Sequence, residues 1–235
     1  MNHSTFVLML LVHLVCVTAI DIVFFEFDFE AQTGEDCQYG SSARRIEASQ
    51  AVEGACYQNP YDRYVGSVDF RGMLAASQAS RQYLYYGGVW DDASCRRYHR
   101  RNVNIDCFRV TPFWTHVSEA AGDNVRSASW RREVIGDRRP PGRTELSQPE
   151  PTGLVARQPP AVGSGWSIVF TNATHIETIR VSDISIPAGH PQWPEVKAAL
   201  RLLNDMHKEH GHDAAVSFAR SNGHHVSTRV KVTGG

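Results

Sequence analysis

The sequence predicts an α+β protein in which a disulfide-stapled antiparallel β domain, a flexible linker and a small α+β unit follow one another. Three observations support this prediction. Strand-like alternation begins at Val23, four cysteines lie between Cys37 and Cys107, and an amphipathic helical pattern follows Pro194. The expected boundaries are residues 1–19 for a signal peptide, 20–115 for the β domain, 116–165 for the linker and 166–235 for the α+β unit.

Residues 1–19 have the pattern of an export signal. An apolar run from Phe6 to Val17, interrupted by His13, ends in small residues, so cleavage is expected after Ala19. The run is too short to cross a bilayer of about 30 Å. We therefore expect a secreted mature protein with no membrane span.

Removal of the signal also removes Cys16 and leaves an even number of cysteines in an oxidising compartment, which predicts two disulfides. The remaining cysteines are Cys37, Cys56, Cys95 and Cys107. Free thiols and a zinc site are the alternatives, but no Cys-x-x-Cys pair occurs and the spacing fits no zinc module. Four cysteines allow three pairings, and the sequence does not choose between them.

The β domain is predicted from strands at short intervals. The clearest runs from Val23 to Glu30, where phenylalanines alternate with acidic residues and so occupy opposite faces. Further strands are expected at residues 64–70, 81–86, 102–105 and 108–110, with a tight turn at Gly87-Gly88 and a short helix within residues 73–82. Such strands, crosslinked by disulfides, form compact antiparallel domains.

Residues 116–165 are rich in Gly, Ser, Pro and Arg and poor in apolar side chains. Burial of so few apolar groups does not offset the entropy of ordering the segment, so we interpret it as a flexible linker. The pairs Arg131-Arg132 and Arg138-Arg139 lie within it as accessible dibasic protease sites. Processing into two chains is a hypothesis that follows.

The C-terminal unit shows strand and helix patterns without cysteine. Strands are expected at residues 166–170 and 176–186, the second with a bulge near Asp183 where its alternation shifts. An amphipathic helix begins at Pro194 and ends near Gly211. Residues 213–221 form either a short helix or a strand entering a hairpin at Asn222-Gly223, before a final strand from Val226.

Charge is unevenly distributed although the formal net charge is −1. Acidic residues dominate the segment from Asp21 to Asp62, and arginine dominates the segment from Arg96 to Arg143. The candidate contacts with a polyanion are Arg96, Arg97, Arg100 and Arg101, which surround Tyr98. A solvated loop facing the protein's own acidic segment is the alternative.

The sequence contains no recognised catalytic motif or zinc-binding motif. No Gly-x-Ser-x-Gly or phosphate-loop motif occurs, so enzymatic activity stays an open question. A ribonuclease would need the fold to bring together Glu26, Tyr98, His99 and Arg100. Five histidines cluster near the C terminus, namely His207, His210, His212, His224 and His225, but their spacing matches no zinc motif, and we predict no metal or cofactor.

Two features of the sequence concern carbohydrate, one as a covalent modification and the other as a ligand. Asn172-Ala173-Thr174 is an acceptor for N-glycosylation in an exported chain. Tyr83, Tyr85, Tyr86 and Trp90 would offer a surface for stacking sugars, although aromatic residues in strands ordinarily pack in cores.

The order of features from the signal peptide to Cys107, with Gly54-Ala55-Cys56-Tyr57 and Gly66-Ser67-Val68-Asp69-Phe70 between, resembles small secreted cysteine-paired proteins of filamentous fungi. That group includes plant-infection effectors and killer-toxin-like proteins. The resemblance covers about residues 1–115 and departs from the simplest members in the linker and the C-terminal unit. It implies a non-enzymatic protein that acts on a host or a competitor.

Three functions are therefore considered. The first is a secreted effector-like or toxin-like binding protein whose macromolecular target and oligomeric state the sequence does not specify. The second is a secreted hydrolase of the ribonuclease-like kind, and the third is a cell-wall or carbohydrate-binding protein. An enzyme should show His or Glu beside Arg in one concave pocket, whereas a binding protein should show a flat or grooved patch.

Overall fold

The structure is a computed structural model that describes residues 19–28, 33–34, 37, 44–61, 65–80, 82–96, 98–103, 107–109, 125–135, 165–172 and 174–231. Residues 27, 28, 33, 34, 66, 98–103, 108 and 109 are described by their backbone alone. The predicted signal peptide up to residue 18, most of the predicted linker and the Arg138-Arg139 pair lie outside the described residues.

Antiparallel strands and three helices make up the described part of the chain. The strands are β1 (Asp21–Asp28), β2 (Thr33–Gly34), β3 (Arg44–Ser49), β4 (Tyr57–Gln58), β5 (Val65–Arg71), β6 (Tyr83–Trp90), β7 (Tyr98–Val103), β8 (Cys107–Arg109), β9 (Ser127–Val134), β10 (Gly165–Thr171), β11 (His175–Arg180) and β12 (His225–Val230). The helices are α1 (Met73–Ala79), α2 (Trp193–His210) and α3 (His212–Ser221). The predicted α+β composition with antiparallel sheets is confirmed.

The main sheet combines strands from both ends of the chain. Its order is β12-β11-β10-β3-β1-β5-β8, with β2 paired to β1. β3 joins the two parts, because it pairs with β1 on one side and with β10 on the other. The sequence predicted separate units at residues 20–115 and 166–235, whereas their strands hydrogen-bond within this one sheet. Local periodicity reports that a residue is in a strand, but not which strand lies beside it.

The second sheet has the order β4-β9-β6-β7. Its strand β9 lies within residues 116–165, for which we predicted a flexible linker, and pairs with β6 along its whole length. Ala128 and Trp130 alternate towards the core and are buried, which compensates locally for the low apolar content of the wider segment. The Arg131-Arg132 pair therefore lies in the middle of a paired strand and not in an accessible linker.

The two sheets approach each other closely at Gly87. A Cβ atom at this position would lie 2.6 Å from the Phe70 ring of β5, so only glycine leaves room for the ring. The sequence predicted a tight turn at Gly87-Gly88, but β6 continues through both residues to Trp90. Contact between sheets, and not chain reversal, explains this glycine.

Helices α2 and α3 contact the half of the main sheet that is formed by the C-terminal strands, α2 at β10 and α3 at β12. The apolar stripe of α2 is buried at Val196, Leu200 and Leu203, as its helical spacing predicted. Gly211, with a φ of 84°, separates the two helices. Because α3 spans the formerly ambiguous residues 213–221, the helical alternative is confirmed there.

The predicted strand at residues 176–186 ends earlier than expected, at Arg180. The N–H groups of Val181 and Ser182 both donate to the Trp166 carbonyl, at 2.9 and 3.2 Å. The Ser182 hydroxyl then donates to the Ile184 carbonyl at 2.8 Å, which turns the chain out of the sheet. The shift in alternation near Asp183 therefore marks the end of a strand.

The hydrophobic core is centred on Trp166, which is fully buried on β10. Its ring centroid lies 6.3 Å from that of Phe24 in β1, 6.1 Å from that of Tyr57 in β4 and 4.9 Å from that of Trp193 in α2. The indole N–H donates to the Ile186 carbonyl at 2.8 Å, so its polar atom is satisfied. One side chain therefore contacts the main sheet, the second sheet and a helix.

An ion network holds three strands together on the opposite face of the main sheet. The Arg71 guanidinium of β5 lies 2.6 Å from Asp21 in β1 and 3.0 Å from Glu47 in β3. Arg45 lies 2.8 Å from Glu47. Burial alone would raise the pKa of the Glu47 carboxyl, but the charges and hydrogen bonds of Arg71 and Arg45 outweigh burial and lower it.

Two disulfides are formed, Cys37–Cys107 and Cys56–Cys95. The two cysteines of each disulfide are 70 and 39 residues apart in sequence, respectively, and the second disulfide lies within the loop that the first one closes. The nested pairing is thus the one adopted among the three that the sequence allowed. Disulfides of this kind form in oxidising compartments.

The first prediction concerns these crosslinks. Replacing either pair by serine, Cys37→Ser with Cys107→Ser or Cys56→Ser with Cys95→Ser, should lower the free energy of unfolding by about 2–5 kcal/mol, because the unfolded chain gains freedom. Urea denaturation followed by circular dichroism measures the change. Equal stability of the oxidised and fully reduced wild-type protein would contradict the prediction.

The second prediction concerns Trp166. Trp166→Ala should lower the free energy of unfolding by about 3–5 kcal/mol, since it leaves a cavity where three layers meet. Trp166→Phe should cost less, and Trp90→Ala, at a half-buried position of the second sheet, serves as the matched control. Equal losses from Trp166→Ala and Trp90→Ala would show that Trp166 is not the centre of the core.

Candidate functional site

The outer face of the second sheet carries aromatic side chains beside arginine. Tyr85 and Val89 of β6 are buried, so the alternating positions Tyr86, Gly88 and Trp90 lie on the opposite face. Tyr86 and Trp90 are half-buried. We call Tyr86, Gly88, Trp90 and their cross-strand neighbour Arg131 the aromatic face.

Trp90 folds back along its own strand. A Cβ atom at Gly88 would lie 2.5 Å from Cη2 and 2.9 Å from Cζ3 of the Trp90 ring. The six-membered ring therefore occupies the space that a side chain at position 88 would fill. Glycine at this position lets the indole lie along the sheet and not stand away from it.

Arg131 is the cation of this face. It pairs with Tyr86 across the strands, its guanidinium carbon lies 5.9 Å from the centre of the Tyr86 ring, and its Nη2 lies 3.1 Å from the Glu133 carboxylate. The arginine side chain is 40 % exposed, so the guanidinium is within reach of a ligand. The sequence interpretation missed Arg131 because it placed the residue in a linker; the alternation of Ala128 and Trp130 was the signal that marks the strand.

The adjacent arginine points the other way. Arg132 lies 4.8 Å above the centre of the Tyr83 ring, and its Nε lies 3.0 Å from Glu53. Tyr83 packs against the core. Of the four aromatic residues considered for sugar stacking, Tyr83 and Tyr85 are therefore packing residues, whereas Tyr86 and Trp90 lie on the outer face.

Of the four arginines expected to contact a polyanion, two lie in β7, beside the aromatic face. In β7, the backbone of Arg101 lies opposite Gly88 and that of Arg100 opposite Val89. Arg96 is exposed, and its backbone N–H donates to the Asp92 carboxylate at 3.0 Å. Arg97 lies outside the described residues.

A second polar group lies beneath the helices, in a row across the main sheet. Arg44 pairs with Phe170, Phe170 with Glu177, and Glu177 with Thr228. The Arg44 guanidinium lies 3.5 Å from the Glu26 carboxylate, which also binds Lys208 of α2. This row places charged residues at the edge of an otherwise apolar face.

Two histidines cover this row and, with it, form what we call the histidine cluster. His207 stacks on Phe170 with ring centroids 4.3 Å apart, and the rings of His207 and His212 are 5.9 Å apart. The His212 Nε2 binds the Glu177 carboxylate. Within the described part of the chain, the buried Nδ1 atoms of both histidines have no hydrogen-bond partner.

The charge state of His207 follows from this environment. Burial, the nearby Arg44 guanidinium and His212 together lower the pKa of His207 to about 4, from the usual value of 6.5. His207 is therefore a neutral imidazole at neutral pH.

The ribonuclease hypothesis required Glu26 beside Tyr98, His99 and Arg100. The structure places Glu26 in the main sheet, where its carboxylate is bound by Arg44 and Lys208. The other three residues lie in β7, at the edge of the second sheet. A cavity of about 320 Å³ lies elsewhere, between the end of β11 and α2; Glu195 and His224 are among its lining residues, which include no arginine.

The predicted glycosylation site, Asn172, lies among the described residues. Asn172 lies at the turn between β10 and β11, where its Oδ1 accepts hydrogen bonds from the backbone N–H groups of Thr174 and His175, at 2.9 and 2.7 Å. Among the described residues, no group of three or more His, Cys, Asp or Glu side chains is arranged to hold a metal ion. No helix in the described ranges has the length and apolar character needed to cross a membrane.

Comparison with known proteins gave no relative. No protein-family model, no curated protein and no solved structure shows a significant match to this chain.

The third prediction concerns His207 and pH. The unfolded chain takes up a proton at His207 near pH 6.5, whereas the folded protein does so only near pH 4. The free energy of unfolding should therefore fall as the pH decreases through this window. Above pH 6.5, His207 is neutral in both states and adds nothing to the pH dependence of stability. Denaturation series from pH 8 to pH 4 should show a weaker dependence for His207→Gln than for the wild type.

A matched control lies on the same helix. His210 has a side chain that is 57 % exposed, so His210→Gln should retain the contribution of His207 to the pH dependence. If His207→Gln and the wild type lose stability in parallel, the histidine is not excluded from protonation as described.

Proposed function

We propose that the protein is a secreted, non-enzymatic binding protein of the effector-like or toxin-like kind, which binds a polyanionic macromolecule of a host or competitor. The aromatic face is the binding surface. The observation that carries this proposal is the position of the Trp90 ring over Gly88, beside Tyr86 and Arg131, on a sheet face that is open enough to leave Arg131 partly exposed.

Secretion is supported by two independent features. The signal-like residues 1–19 direct export, and the nested disulfides suit an oxidising environment. In such an environment the crosslinks restrict the unfolded state and keep a small β-rich protein folded.

The charge pattern favours a polyanionic ligand. Arg131 belongs to the face itself, and the backbones of Arg100 and Arg101 run along the neighbouring strand. Arginine binds phosphate and sulfate through a planar fork of donors, and its hydration is weak enough for it to lie against aromatic rings. A neutral ligand would form no ionic contact with the Arg131 guanidinium.

The histidine cluster gives less support to the hydrolase alternative. It does bring His, Glu and Arg together, but the carboxylates of Glu26 and Glu177 already have side-chain partners, and the Nδ1 atoms of both rings are buried. A general base must reach the proton that it removes from a substrate. We therefore assign the cluster to the packing of α2 and α3 on the sheet.

The fourth prediction tests polyanion binding. Neutralising Arg96, Arg97, Arg100, Arg101 and Arg131 together by glutamine should make the mature protein elute from immobilised heparin at lower salt, because fewer counterions are released on binding. Arg132→Gln is the matched control, since this residue faces Glu53 on the other side of β9.

Elution of the five-fold variant at the same salt as the wild type would remove the basis for the proposed function. Melting curves of each variant ensure that a change in retention reflects charge and not loss of folding.

A further inference from the structure

The spacing of the two aromatic groups defines what shape of ligand the aromatic face accepts. Tyr86 and Gly88 are two residues apart on β6, so their Cα atoms are about 7 Å apart. Since the Trp90 ring covers Gly88, the face offers two aromatic groups at roughly that separation. Successive bases in a duplex strand rise by only about 3.4 Å.

This separation fits a strand whose bases are spread apart better than a strand whose bases are stacked on each other. Neighbouring bases of an unstacked single strand are far enough apart for one to contact Tyr86 and the next to contact Trp90. Bases inside a duplex are stacked on each other and present only their edges, which a flat sheet face without a protruding helix does not read.

One guanidinium and one further arginine position lie beside the two aromatic groups. Arg131 flanks Tyr86 on β9, and Arg101 of β7 lies opposite Gly88 on the other side of β6. The aromatic groups are thus bordered by arginine positions on both neighbouring strands. Proteins that bind single strands without sequence preference combine stacking rings with a positively charged track in this way.

We propose that the aromatic face binds single-stranded nucleic acid, with one base against Trp90, the next against Tyr86, and a phosphate contacted by Arg131. This inference rests on the proposed function, because it names the polyanion that the binding surface recognises. Glu133 limits the affinity, since its carboxylate lies 3.1 Å from the Arg131 guanidinium and competes with phosphate for it.

The test is titration of a fluorescently labelled uridylate 12-mer with the mature, oxidised protein, monitored by anisotropy. We expect the single strand to bind more tightly than a duplex of the same length. Trp90→Leu and Tyr86→Leu should each weaken binding about tenfold, the loss typical of one stacked base. Tyr83→Leu is the matched aromatic control, because Tyr83 lies on the core side of the same strand, and it should leave affinity unchanged.

Two charge variants make the test more specific. Arg131→Gln should reduce the slope of log affinity against log salt by about 0.7, the value for one phosphate contact on a single strand, whereas Arg132→Gln should not. Glu133→Gln should raise affinity several-fold, because it frees the Arg131 guanidinium. Unchanged melting temperatures establish that these variants stay folded.

The outcomes separate this inference from the proposed function. Retention on heparin without preference for single strand over duplex, or with no effect of Trp90→Leu, overturns the nucleic-acid assignment and leaves polyanion binding intact. Binding of a neutral oligosaccharide that depends on Trp90, without binding of the 12-mer, overturns it in favour of a carbohydrate. Failure to bind either heparin or the 12-mer overturns both proposals.

Discussion

The contacts of the Trp166 indole determine how the three layers of this protein fit together. The ring lies against Phe24 in the main sheet, Tyr57 at the edge of the second sheet and Trp193 at the start of α2. Gly165 immediately before it has a φ of 149°, and a Cβ there would lie 1.9 Å from the Ser182 carbonyl oxygen. The backbone is therefore held between the end of β11 and the core, and the aromatic residues of the other layers pack around a fixed ring.

Much of the local structure was readable from the sequence, because its patterns are short-range. Alternation from Val23 to Glu30 indicated β1, helical spacing after Pro194 indicated α2, and the count of cysteines indicated two disulfides. The pairing of β3 with β10 was not readable, since the two strands are far apart in sequence and each pattern is satisfied by any apolar neighbour. The strand β9 was hidden because composition averaged over residues 116–165 masked the alternation of Ala128 and Trp130.

The candidate site shows the same division between local and distant information. Alternation along β6 separates Tyr86 and Trp90 from Tyr85, and this much follows from the period of a strand. The arrival of Arg131 beside Tyr86 follows from cross-strand register, which no local pattern contains. The histidine cluster likewise depends on register, since Arg44, Phe170 and Glu177 meet only because three strands align. Residue types were thus predictable, whereas their combinations were not.

The position of β3 between β1 and β10 has a consequence for any cut made in the intervening chain. Both disulfides join cysteines that precede residue 110, so no crosslink connects the N-terminal strands to β10. A molecule nicked at Arg138-Arg139 would nevertheless stay in one piece, because the β3–β10 ladder and the packing of Phe24 on Trp166 span the break. Processing would yield a split protein whose fragments complement each other, and not two independent factors.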